Sequence, residues 1–199
     1  MTLPKRVLVF ILAVIVLSAP AAAHVGIGNT AGFLYGIQHP LGGLDHIVAM
    51  VAVGLFAVHL GGRAVWLVPA SFVLMMAAGG MLGASGIAIP WVEMGIALSI
   101  VVLGSLIALQ IDMPVALAMS LVGGFAIFHG HAHGAEMPAT SSGVTYALGF
   151  MLATVTLHIT GIAVGLAVAR LPSPSSRRLA RLGGGAMALA GMALAGGAL

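Results

Sequence analysis

The sequence predicts an all-α integral membrane protein, a bundle of six transmembrane helices behind a cleavable signal peptide. Three observations predict it. Of 199 residues, 61% are hydrophobic and only 6% are charged, with a mean hydropathy of +1.20; soluble domains carry about 25% charged residues. Apolar runs of about 20 residues, the length that crosses a bilayer, recur along the chain and are separated by turn residues. The basic residues fall at alternate connections between those runs.

At the N-terminus, Lys5 and Arg6 precede an apolar stretch from Val7 to Leu17, and Ala21-Ala22-Ala23 follows as a small-residue cleavage site. The stretch is short for a span, which favours a cleaved signal over an uncleaved first helix. Residues 1–23 are therefore expected to be the signal peptide and residues 24–199 a single transmembrane domain. Cleavage would make His24 the mature N-terminal residue, outside the cytoplasm.

Six spans follow, at roughly 41–60, 64–84, 90–110, 114–135, 143–169 and 180–198. Turn chemistry separates them: Gly61-Gly62-Arg63, Ala84-Ser85-Gly86, Asp112-Met113-Pro114, the segment from Pro138 to Gly143, and the segment from Pro172 to Ser176. Small residues pervade the spans, including Gly79, Gly80 and Gly83, and allow close helix approach. No loop is long enough to fold alone, and no internal repeat stands out.

With the mature N-terminus outside, span one delivers Arg63 to the cytoplasm. The same alternation puts Arg170, Arg177, Arg178 and Arg181 inside, as the positive-inside rule requires. The chain is thus expected to be multi-pass, with its mature N-terminus outside the cytoplasm. A formal charge of +3 is too small and too dispersed for nucleic-acid binding.

The ionisable groups collect at the opposite, outer side. His39, Asp45 and His46 lie at the outer end of span one. Glu93 opens span three, and "FHGHAHGAEM" closes span four with His129, His131, His133 and Glu136. Pro40 suits a first helical turn, so His39 is expected at or just before the start of span one. His129, His133 and Glu136 are spaced as one helix face; His131 points elsewhere. Gly130 and Gly134 could thin or unwind that helix.

Cysteine is absent, which removes disulfides, thiolate metal sites and cysteine nucleophiles together. Imidazole plus carboxylate without thiolate suits a borderline divalent ion such as nickel, cobalt or zinc. A charged residue in a span costs about 3 kcal/mol on insertion scales, so two clusters by accident are improbable. Blander readings hold elsewhere. The 12 methionines read as packing, His59 as an interfacial histidine and Asp112 as a helix cap. Glu93 is either a ligand or the partner of a helix end. His158, mid-span beside Thr154, Thr156 and Thr160, is either a helix–helix hydrogen bond or a step in an ion path. His24 could ligate through its amine and imidazole.

"HPLGGLDH" and "FHGHAHGAEMP", in this order on a six-span, alanine-rich scaffold, resemble the HupE/UreJ family. Its members are bacterial nickel permeases linked to hydrogenase or urease maturation. The first motif, H-x5-D-H, is similar to the H-x4-D-H signature of the larger nickel/cobalt transporter family. The resemblance covers the chain from His24 to Leu199 and departs from neither motif. It implies that His39, Asp45 and His46 form the essential first motif, and that His129, His131, His133 and Glu136 match the second.

The function expected is a secondary permease that imports Ni²⁺, with Co²⁺ as a further substrate, from periplasm to cytoplasm for hydrogenase or urease maturation. The metal is cargo, not a cofactor. Its partners are the divalent ion and the lipid bilayer, with no nucleic acid and no ATPase subunit within the chain. The sequence sets no oligomeric state. An intramembrane metalloenzyme is disfavoured because no H-E-x-x-H helix is present, so no enzyme activity is expected. A metal sensor or chaperone subunit without transport, and a zinc or cobalt permease of the same architecture, are the alternatives.

Overall fold

The computed structural model describes residues 29–137 and 142–197. The expected signal peptide and His24 lie outside the described residues. Within them all regular structure is helical: α1 (Asn29–Gly42), α2 (Leu44–Leu60), α3 (Ala64–Ala84), α4 (Val92–Leu109), α5 (Val115–Ala135), α6 (Gly143–Ala169) and α7 (Ser173–Ala195).

Each apolar stretch of the sequence became one of α2 to α7, and α1 is additional. Four helices, α3 to α6, are long and apolar enough to cross a membrane. Gly32–Gly42 and Leu44–Leu60 make a fifth if that pair, bent by 84°, counts as one broken span. Length and composition thus mark four or five of the six expected spans among the described residues. α7 is less apolar than the rest, because Arg177, Arg178 and Arg181 occupy its first half. Span one is not straight, and His39 does not sit at the start of α2 but in the last turns of a separate helix.

α2 is the centre of the bundle. Met50, Val53 and Phe56 are fully buried and pack with Phe72, Met76, Val122 and Phe150. None of its residues from Asp45 to Leu60 is exposed, as expected for an apolar helix enclosed by others. Between helices in lipid the hydrophobic effect offers little, so close packing must hold the bundle. The α3–α5 pair shows how. A Cβ on Gly79, Gly83, Gly130 or Gly134 would collide with main chain of the facing helix. Of the two effects open to Gly130 and Gly134, the helix is thinned and not unwound: α5 runs through Ala135, and both glycines let α3 approach.

Contacts between partners give the helix directions. Ser71 meets the Met119 carbonyl, Gly79 meets Ile127 and Gly83 meets His131, so α3 and α5 run parallel. Gly161 meets Val51 and Gly165 meets Val58, so α2 and α6 also run parallel. Gly104 meets Gly184 and Gly191 meets Val101, so α4 and α7 run antiparallel.

Loops therefore gather at two ends. At one end His59 binds the Ile111 carbonyl, tying the close of α2 to the α4–α5 connection. Arg63 follows α2, and Arg170 ends α6, parallel to α2, so both lie at this end. At the other end are the α1–α2 bend, the α3–α4 connection and the close of α5.

Candidate metal centre

The bend between α1 and α2 builds the first half of the site. Pro40 lies in the last turn of α1 and lacks the N–H to extend a hydrogen-bond ladder. Gly43 then adopts an extended conformation (φ −104°, ψ 121°) and α2 begins at Leu44. The turn puts Asp45 in the first turn of α2, where the helix dipole favours a carboxylate. Gly43 is needed for space. A Cβ there would stand 2.5 Å from Asp45 Oδ1 and 2.9 Å from His46 Nδ1.

Asp45 Oδ1 accepts a hydrogen bond from His46 Nδ1 at 2.8 Å. That bond selects the tautomer whose Nε2 carries the lone pair. Nε2 is buried and has no hydrogen-bond partner. Asp45 thus orients His46 through its hydrogen bond, as carboxylates commonly orient metal-binding histidines.

The end of α5 supplies the second half. The His133 ring lies 4.2 Å from the His46 ring and 4.8 Å from the His39 ring, centroid to centroid. Both its nitrogens are buried and unpartnered. His39 Nε2 donates to Glu136 Oε2 at 3.0 Å. Ligand atoms of His39, His133 and Glu136 all lie within 4.8 Å of one another. Coordination at about 2.1 Å sets ligand separations of about 3–4 Å, so small rotamer changes would close this trio on an ion.

His129, one turn below His133, continues the track, its ring 5.2 Å from that of His46. Ser99 Oγ donates its proton to the Ile96 carbonyl at 2.6 Å and accepts from His129 Nε2 at 3.0 Å. That leaves the Nδ1 lone pair of His129 free, and Nδ1 is buried without a partner. Four imidazoles from three helices are therefore contiguous.

Not every expected residue joins them. His131 points away, and its Nε2 donates to the Ile87 carbonyl at 2.7 Å, fastening α5 to the α3–α4 connection. Glu93 is exposed on the first turn of α4 and lies outside the trio. His158 is buried deeper in the bundle, against Phe72.

Several residues at the site were not singled out from the sequence. Tyr35 stacks on His39 at 5.7 Å, Tyr146 lies 6.0 Å from the same ring, and Phe150 packs 4.1 Å from His133. Tyr35 and His39 are one helical turn apart, as are Tyr146 and Phe150. That spacing was the available signal, but it needed α1 to be recognised as a helix. Ser99 carried no signal inside its apolar run.

These features define a multi-pass α-helical membrane protein with an imidazole–carboxylate cluster at one end of the bundle. The chain belongs to the HupE/UreJ family: the family model described as HupE / UreJ protein matches residues 12–194. It is similar to Protein HupE of Rhizobium leguminosarum bv. viciae, 51% identical over 183 residues that cover 92% of this chain and 94% of the relative. No solved structure matches the chain.

Proposed function

We propose that this chain is a secondary permease that carries Ni²⁺, and Co²⁺ as a second substrate, from periplasm to cytoplasm for maturation of a hydrogenase or urease. The observation that carries the reading is the cluster of buried imidazole nitrogens without hydrogen-bond partners, on His46, His129 and His133, beside the His39–Glu136 pair. Leaving a buried polar group unpaired costs about 1–3 kcal/mol. A cation that accepts those lone pairs offsets the cost. Nickel rather than zinc is favoured by the family.

The topology proposed is six crossings after a cleaved signal peptide in the inner membrane. The helix directions support it. In an alternating chain the first and fifth crossings are parallel, as are the second and fourth, while the third and sixth oppose each other. The pairs α2/α6, α3/α5 and α4/α7 follow that pattern. α7 is then the sixth crossing, its arginines at the cytoplasmic surface. The histidine cluster faces the periplasm.

In this mechanism His39 and Glu136, the most accessible members, meet the hydrated ion first. Glu136 and Asp45 supply negative charge while the ion sheds water. His133 and His46 replace that water with nitrogen ligands, and His129 takes the ion inward. Binding must stay weak enough for release, and neutral imidazoles with few carboxylates suit that. No nucleotide-binding motif is present in the sequence, so the chain cannot by itself use ATP.

The test is metal accumulation in a nickel-uptake-deficient bacterium expressing the chain, beside His46→Ala and Asp45→Asn at matched membrane levels. Nickel raised by the wild type and lost in both variants supports the permease. Unchanged metal content, despite good expression, favours a sensor or chaperone subunit that binds without transporting.

A further inference from the structure

Among the described histidines, two have neither ring nitrogen partnered: His133 and His158. His133 belongs to the outer cluster. His158 is 2% exposed, deep on α6. The histidines that fasten structure here look different. His131 and His59 each donate to a backbone carbonyl. His158 holds no such partner, so it does no fastening, and its burial without a partner costs about 1–3 kcal/mol.

What faces His158 is specific. Phe72 and Met76 lie one turn apart on α3, and Thr154 and His158 one turn apart on α6. The two pairs meet as rungs. The Phe72 and His158 rings lie 5.0 Å apart and nearly perpendicular, at 89°. The Thr154 hydroxyl donates to the Met76 sulfur at 3.6 Å. Met76 and Thr154 are both buried. Thr156 and Thr160 are spent on carbonyls of their own helix. The Phe72 ring also touches His129, with centroids 5.5 Å apart, so it links the outer cluster to His158, while the Met76–Thr154 rung lies one turn nearer that cluster.

We propose that His158 and the Met76 thioether, with the Thr154 hydroxyl steering the sulfur, form a second, inner station for the transported cation beside Phe72. The proposal rests on the permease reading and adds a selectivity step to it. The outer trio includes a carboxylate, which hard cations such as Mg²⁺ and Ca²⁺ also accept. The inner station offers imidazole nitrogen and thioether sulfur with no carboxylate. Those ligands favour late first-row divalent ions and reject hard ones. Without a carboxylate the station holds its ion more weakly than the outer cluster, which suits onward release.

The test uses the full chain in lipid nanodiscs at saturating Ni²⁺, with bound metal counted per chain and the nickel X-ray absorption spectrum recorded. The variants are His158→Gln, Met76→Leu (a volume-conserving change) and His46→Ala. The expected result is a wild-type spectrum with a sulfur neighbour and one more ion per chain than either inner variant binds. The sulfur signal is lost in Met76→Leu and retained in His46→Ala. In proteoliposomes, Mg²⁺ in excess should slow Ni²⁺ flux through Met76→Leu by about tenfold or more relative to wild type. Absence of a sulfur neighbour in the wild type, or the same ion count in both inner variants, overturns the station. If His46→Ala alone abolishes flux while the inner variants match wild type, the permease stands and the station falls. If sulfur-ligated nickel is present but no chain shows flux, the site stands and the permease falls.

Discussion

The two ends of the bundle each hold a histidine paired with a carboxylate, and the pairs differ in almost everything else. At the outer end His39 meets Glu136 at 3.0 Å; at the inner end His59 meets Asp112 at 3.3 Å. His59 Nε2 also lies 3.2 Å from the Ile111 carbonyl, so its hydrogen-bonding need is met by a loop. The Asp112 side chain is 86% exposed, where an ion pair contributes about 0–1 kcal/mol. Around His39, by contrast, stand His133, His46 and His129, with buried nitrogens that have no hydrogen-bond partner among the described residues. A histidine–carboxylate pair is thus common to both ends. Unsatisfied, converging lone pairs set the outer one apart as the candidate metal centre.

The sharpest way to break this comparison is to delete its best-placed ligand. His133→Ala should lower nickel accumulation by at least about tenfold at equal membrane level, whereas His59→Ala should leave accumulation near wild type. Equal losses in both would erase the distinction. Gly43→Ala comes next. The added methyl must displace Asp45 or His46, so uptake should fall several-fold while the protein still inserts. Uptake at the wild-type level in Gly43→Ala would mean that the Asp45–His46 contact is not needed.

Acid sharpens the comparison further. Only neutral imidazole ligates metal, and binding releases any proton a ligand carries. Nickel uptake should therefore fall as the pH is lowered and recover when it is raised. Uptake that rises with added acid would contradict histidine ligation. The smallest effect is expected at His131. His131→Ala removes a bond to Ile87, worth about 1 kcal/mol, and should lower the melting temperature in detergent by a few degrees while nickel affinity changes little. A large loss of nickel binding there would make His131 a ligand after all.

The long helices were legible because lipid demands apolar runs of a set length, and Gly, Pro and Asp mark where each ends. α3 and α6 match the expected 64–84 and 143–169 at both ends. α1 was not legible. It is short, mixes polar residues and glycines with apolar ones, carries Pro40, and a single extended residue, Gly43, divides it from α2. From the sequence, His39 and His46 could therefore look like two turns of one helix. The i, i+4 spacing did indicate that His129 and His133 share a face and that His131 leaves it. The aromatic wall of Tyr35, Tyr146 and Phe150 depends on α1 docking against α6, a long-range contact that no local pattern encodes. Glu93 was attractive by its position at the outer end, but its exposure on α4 keeps it away from the trio.

The most direct measurement is nickel flux through the purified chain in sealed proteoliposomes carrying an internal metal-sensitive dye, with an inside-negative potential. Rapid nickel entry through the wild type, and entry at the empty-vesicle rate through His133→Ala and His46→Ala, is the result predicted. Nickel bound tightly by the wild type without entering the vesicles, or equal flux in all three proteins, would contradict transport through the outer histidine cluster.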